Sequence, residues 1–121
     1  LLVLSAFASL RHWLEAGTGV HHQRGEWLIA RVYSVLGQSE GALYHARRCL
    51  ELTEQHAGEM ADFDRAYAYE AVARANAIAG DWEQARSYLA QAEEAGAAIA
   101  DEQSKAIFDG DLQGGDWGGL R

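Results

Sequence analysis

A chain of 121 residues, 49% hydrophobic and 23% charged, can bury one core and is too short for several. Its net charge of -8, from 18 acidic and 10 basic residues without a basic tract, argues against nucleic acid and against anionic membranes as partners. Cys49 is the sole cysteine, so no intrachain disulfide and no cysteine-built zinc site can form, which suits a reducing compartment such as the cytoplasm.

Proline is absent and glycine falls mostly at apparent breaks, so long helices are expected. The first segment runs from about Leu2 to Ala16, with Leu4, Phe7, Ala8, Leu10 and Leu14 at helical spacing. Its apolar run, Leu1 to Leu10, is too short to span a bilayer. It has no basic segment before it, and Arg11, His12 and Trp13 stand where a cleavage site would need small residues, so a helix is expected rather than a secretory signal. The chain opens without Met, so further residues upstream are expected. Gly17 and Gly19 close this segment.

A second helix is expected from Gly25 to Leu36, with Leu28, Ile29, Val32, Tyr33 and Leu36 on one stripe and Gly37 as its stop. A third follows Ser39, an N-cap residue type, and continues to about His56. Its inner face is Ala42, Leu43, Ala46, Cys49, Leu50 and Thr53, which makes Cys49 a core residue. The fourth runs from Asp62 to Ala79, with Phe63, Ala66, Tyr67, Val72, Ala73 and Asn76 at three- and four-residue steps before Gly80. Asp81 then caps a fifth helix, with Gln84 three residues on as in a capping box. Ala85, Tyr88, Leu89, Ala92, Ala95 and Ile99 carry its apolar stripe. A short turn is expected from Glu102 to Phe108. A glycine-rich tail over 109–121 follows, with Trp117 and Leu120 able to dock back. No segment alternates with period two, so the fold class is all-α.

The chain repeats at a shift of 43 residues. Ala30, Arg31, Gly37, Glu40, Ala42 and Glu51 fall on Ala73, Arg74, Gly80, Glu83, Ala85 and Glu94. The unit is helix, glycine turn, helix. One such hairpin cannot bury both faces, so hairpins must stack. The pattern resembles the tetratricopeptide (TPR) repeat over about Gln23 to Ala98. Ala30 and Ala73 stand at its small crossing position, Tyr33 at its tyrosine, Gly37 and Gly80 at its turn, and Ala42 and Ala85 at the small position of its second helix. Glu26 and Asn76 depart from the pattern, no proline closes either copy, and the period exceeds the family's usual spacing of about 34.

The resemblance implies antiparallel hairpins stacked as a short right-handed superhelix in one domain over 1–108. Residues 1–16 would cap it, 25–57 form one hairpin and 62–100 the other. It also implies a concave wall made by the first helix of each hairpin. Arg24, Trp27, Arg31 and Ser34 fall on that wall from one unit, and Tyr67, Glu70, Arg74 and Ala77 from the other. Arg31 and Arg74 occupy equivalent places, and two guanidinium forks there could hold an acidic group of a peptide. An ordinary structural role competes with this, because Glu70 lies four residues before Arg74 and Glu26 and Glu70 are within reach of Arg31. Trp27 and Trp117 are interface candidates, whereas Trp82 reads as core.

No histidine pair has metal-ligand spacing, no Gly-x-Ser-x-Gly elbow is present, and the Gly114-Gly115 and Gly118-Gly119 pairs lack the context of a phosphate loop. The expectation is therefore a non-catalytic module for protein or peptide binding, an adaptor or a regulatory domain, with no cofactor and no metal. A small-molecule sensor or enzyme using the same groove is the alternative. Self-association through the first helix or the tail is expected of so short an array.

Overall fold

The computed structural model describes residues 19–115, 117, 119 and 120. The expected capping helix over 1–16, with His12 and Trp13, lies outside the described residues. Five α-helices follow in order: α1 (Gly19–Val35), α2 (Ser39–Gln55), α3 (Asp62–Ala79), α4 (Trp82–Ala97) and α5 (Glu102–Gln113), with a 3-10 turn at Ala57–Glu59 between α2 and α3. No strand occurs among the described residues. None of their helices is long and apolar enough to cross a membrane. The fold is all-α, built from antiparallel hairpins α1–α2 and α3–α4 with α5 stacked on the second.

The sequence repeat is a structural repeat. A shift of 43 carries Gly19–Val35 onto α3 and Ser39–Gln55 onto α4 to within one residue at each end. Both turns are built alike. The Gly37 N–H donates to Ser34 O and the Gln38 N–H to Tyr33 O, and one repeat later the Gly80 N–H donates to Ala77 O and the Asp81 N–H to Asn76 O. These are Schellman closures, which need a left-handed residue just past the helix. Gly37 at φ 72° and Gly80 at φ 83° supply it without a Cβ penalty. Ala30 and Ala73 are buried at the hairpin crossings, and Ala42 with Ala85 and Cys49 with Ala92 are buried at matching places of the second helices.

The central helix explains the alanine content. α3 packs on α1, α2, α4 and α5 at once. Its buried residues therefore surround the axis instead of forming one stripe, and Ala66, Ala68, Ala71, Ala73, Ala75 and Ala77 keep the neighbours close. Larger side chains fill between the layers: Ile29 and Val72 in the first half, Leu89, Ile99, Phe108, Leu112 and Trp117 in the second.

Three expectations are corrected. The first described helix starts at Gly19, not Gly25, because both glycines are buried in the packed face and tertiary contact outweighs their low propensity. Ser39 is the first residue of α2 and not its cap; Gln38 holds the cap position, with no side-chain bond. The expected turn after Glu102 is a helix reaching Gln113, so the tail does not begin at residue 109. Asp101 nucleates that helix by accepting from the Ser104 N–H and hydroxyl, each at 2.8 Å. The Ser104 backbone bond holds the Asp101 carboxyl below its usual range. Asp81 caps α4 as expected, accepting from the Gln84 N–H at 3.2 Å.

Candidate functional site

α1, α3 and α5 lie side by side and form one wall, with α2 and α4 behind it. An aromatic series crosses this wall. Trp27 of α1 meets Tyr67 of α3 edge-to-face at 5.4 Å, and Tyr67 meets Phe108 of α5 at 4.9 Å and 87°. Each such pair contributes about 0.5–1.5 kcal/mol beyond the area it buries. The Tyr67 hydroxyl donates to Asp111 of α5, and burial together with that bond pushes its pKa up.

Beside the aromatics, Glu70 gathers two hydrogen-bond donors and a second guanidinium. Trp27 Nε1 donates to its Oε1 at 2.9 Å, Arg74 Nε donates to its Oε2 at 2.7 Å, and Arg31 Nη1 lies 3.7 Å from the same Oε2. Trp27 and Glu70 are themselves repeat equivalents, as are Arg31 and Arg74, so two copies of one wall position meet across the hairpins. Glu70 and Arg74 are buried. Burial lowers the Arg74 pKa, and Glu70 opposes that shift. Arg74 is also committed toward α5. Its Nη2 donates to Asp111 O at 3.0 Å and its Nη1 to Gly114 O at 2.9 Å. It thus caps carbonyls that the last turn of α5 leaves without helical donors. The Trp117 ring lies 4.1 Å from its guanidinium carbon, and Trp117 Nε1 donates to Leu112 O at 2.9 Å.

Further toward the start of α1 and α3, the wall opens. Gln23, Arg24, Trp27, Leu28, Phe63, Asp64, Tyr67 and Asp111 line a cleft of about 310 Å³. Arg24 grips Asp64 with both prongs of its fork, Nε to Oδ1 at 2.9 Å and Nη2 to Oδ2 at 3.0 Å, and lies over the Phe63 ring. That hydrogen bond raises the Arg24 pKa. Asp64 also accepts from the Ala61 N–H at the start of α3, so one carboxylate joins a helix terminus to the neighbouring helix. Buried Gln23 ties α1 to Thr53 of α2 and to the Asp64 carbonyl, each at 3.0 Å.

The structure therefore brings Arg24, Trp27, Arg31, Tyr67, Glu70 and Arg74 onto one wall, in two groups. Arg24, Trp27 and Tyr67 line the open cleft. Glu70 and Arg74 are bonded within the fold, with Arg31 beside them, and the C-terminal segment covers them. Trp117 docks on this wall and is buried. Trp82, expected in the core, is 37% exposed. It sits at the first position of α4, where the helix has only begun to pack. Gln23, Leu28, Phe63, Asp64 and Asp111 also line the cleft and were not expected as site residues. Leu28 and Phe63 had their helical stripes as a signal, whereas Gln23, Asp64 and Asp111 meet the site only through tertiary packing. Cys49 lies fully buried on the opposite layer, and desolvation pushes its thiol pKa up.

Among the described residues, no group of three or more His, Cys, Asp and Glu side chains is placed to hold a metal ion. His45 meets Glu26 at 2.6 Å and stacks on Tyr33, joining α1 to α2; His56 meets Glu59 at 3.0 Å in the turn before α3. Comparison of the chain with protein-family models, with curated proteins and with solved structures returns no match.

Proposed function

We propose that this chain is a non-catalytic, TPR-like interaction module that binds a protein or peptide partner on the wall formed by α1, α3 and α5. The observation that carries the reading is the open cleft between α1 and α3, whose walls are Trp27, Leu28, Phe63 and Tyr67. It combines large aromatic surface with polar groups at the rim, Arg24 with Asp64 and Tyr67 with Asp111. Buried aromatic anchors ringed by polar groups are the usual energetic centre of an interface. The repeat supplies the rest, since stacked hairpins present extended surfaces. The right-handed sense of the superhelix, the adaptor or regulatory role and a cytoplasmic setting belong to the same reading.

The test is selection of peptides from a displayed library on the folded chain, followed by affinity measurement on Trp27→Ala and Phe63→Ala. Circular dichroism would first establish that each variant is folded. Truncating an anchor in the cleft is expected to weaken binding by about 10-fold or more. Selected peptides that bind both variants as well as the parent chain would overturn the placement. A cleft of this volume sits at the lower end of small-molecule pockets. Small metabolites that stabilise the parent chain but not Trp27→Ala would therefore favour a sensor over a peptide binder.

A further inference from the structure

We propose that the wall around Arg31 and Arg74 is a second subsite, one that takes a bent peptide of the form Gly-x-Trp. Gly114, Gly115 and Trp117 of this chain are its built-in occupants, and a partner peptide gains the site by displacing them. The inference rests on the wall being a peptide-binding surface, and it concerns a part of that wall outside the open cleft.

The occupant leaves the helix through a bend and closes in a turn, with the Leu120 N–H donating to Trp117 O. α5 ends at Gln113, Gly114 is extended at φ -84° and ψ 175°, and Gly115 turns to φ 77°. Beyond Gln113, Arg74 holds the segment through two kinds of contact. One is a main-chain carbonyl, Gly114 O, accepting from the Arg74 fork at 2.9 Å. The other is the Trp117 ring, seated 4.1 Å from the same guanidinium. Any peptide carries the carbonyl, and only an aromatic side chain supplies the ring face. The Arg74 guanidinium thus presents its N–H edge to the carbonyl and its face to the indole ring.

Selectivity comes from Gly115. Its φ of 77° is one that L side chains rarely adopt, and a Cβ there would lie 2.7 Å from Arg74 Nη1 and 3.0 Å from Arg31 Nη2, side-chain ends that would have to shift. Both arginines that the repeat aligns thus touch one glycine. This gives Arg31 a role that its 3.7 Å separation from Glu70 does not. Four of the eight residues beyond Gln113 are glycine, so the seat there depends on Trp117, with Leu120 beside the same cluster.

The experiment uses the full chain and its Trp117→Ala variant with a fluorescent peptide copied from residues 113–121. The variant is expected to bind the peptide about tenfold or more tightly than the parent chain does, because the competing internal ligand has lost its anchor. Peptides carrying Gly115→Val or Trp117→Ala are expected not to bind. A folded variant that ignores the peptide, or that binds all three peptides alike, overturns the inference. If Trp117→Ala does not fold, hydrogen exchange on the parent chain decides. Amides over 114–120 exchanging faster than those of α3 support a displaceable segment, and exchange only with global unfolding overturns it. A parent dimer abolished by Trp117→Ala would assign the site to a second copy and overturn its assignment to a partner peptide. Failure here leaves the open cleft untouched, because peptides selected on Trp27 and Phe63 are scored separately.

Discussion

Glu70→Ala tests the centre of the wall most directly. The substitution strips the hydrogen-bond acceptor from Trp27 Nε1 and the nearest carboxylate from Arg74, which is only 2% exposed. Removing one partner of a buried ion pair costs about 3–5 kcal/mol, because the remaining charge stays desolvated. A small domain has about 5–15 kcal/mol in all, so the loss is a large fraction of it. At about 3–5 °C per kcal/mol for a chain of this length, the midpoint of thermal unfolding should fall on the order of 10–25 °C. Glu70→Gln keeps an oxygen for the Trp27 indole and is expected to cost less, about 1–3 kcal/mol. The double variant Glu70→Leu, Arg74→Met removes both charges at similar volume, and should be more stable than Glu70→Ala although it gives up the cap on α5. Urea unfolding followed by tryptophan fluorescence and by circular dichroism measures all three. A Glu70→Ala cost below about 1 kcal/mol would refute the reasoning, as would a double variant no more stable than Glu70→Ala.

Phe108→Ala removes a fully buried ring that α5 inserts against Tyr67, and should cost about 3–5 kcal/mol by urea unfolding. Asp101→Ala should fray the start of α5, seen as faster amide exchange around Ser104. Because the Asp101 carboxyl is held below its usual range in the fold, its contribution is present above the unfolded carboxyl value and is lost as pH falls through the folded one. An acid titration should therefore show Asp101→Ala less sensitive than the parent chain. The Cys49 thiol, raised by burial, should resist a thiol reagent until the chain unfolds. Its raised value favours the neutral form in the fold, so its contribution is complete below the unfolded thiol value, about 8.5, and falls as pH rises above it. Cys49→Ala should flatten that alkaline loss.

Periodicity and turn chemistry, both local properties, carried the fold. The stripes from Leu28 to Tyr33 and from Ala85 to Leu89 announced helices, and Gly37 and Gly80 announced the turns that the Schellman closures then use. The 43-residue repeat placed Arg31 over Arg74 and Ala30 over Ala73 because equivalent positions in stacked hairpins face equivalent neighbours. Local signals misled where packing overrode propensity. Gly25 looks like a breaker and lies inside α1, and the glycine-rich run after residue 109 hides the last turn of α5.

By itself, then, the sequence determined an all-helical hairpin repeat, and its resemblance pointed to the wall. Only the tertiary structure decided what the wall residues do. Asp64 meets Arg24 across forty positions, and Arg74 meets Gly114 across as many. Ion pairing and capping at that separation depend on how the helices stack, and no periodicity along the chain encodes it. Stacking therefore turned Arg74 inward as a buried cap under Trp117 and left Arg24, Trp27 and Tyr67 around the open cleft.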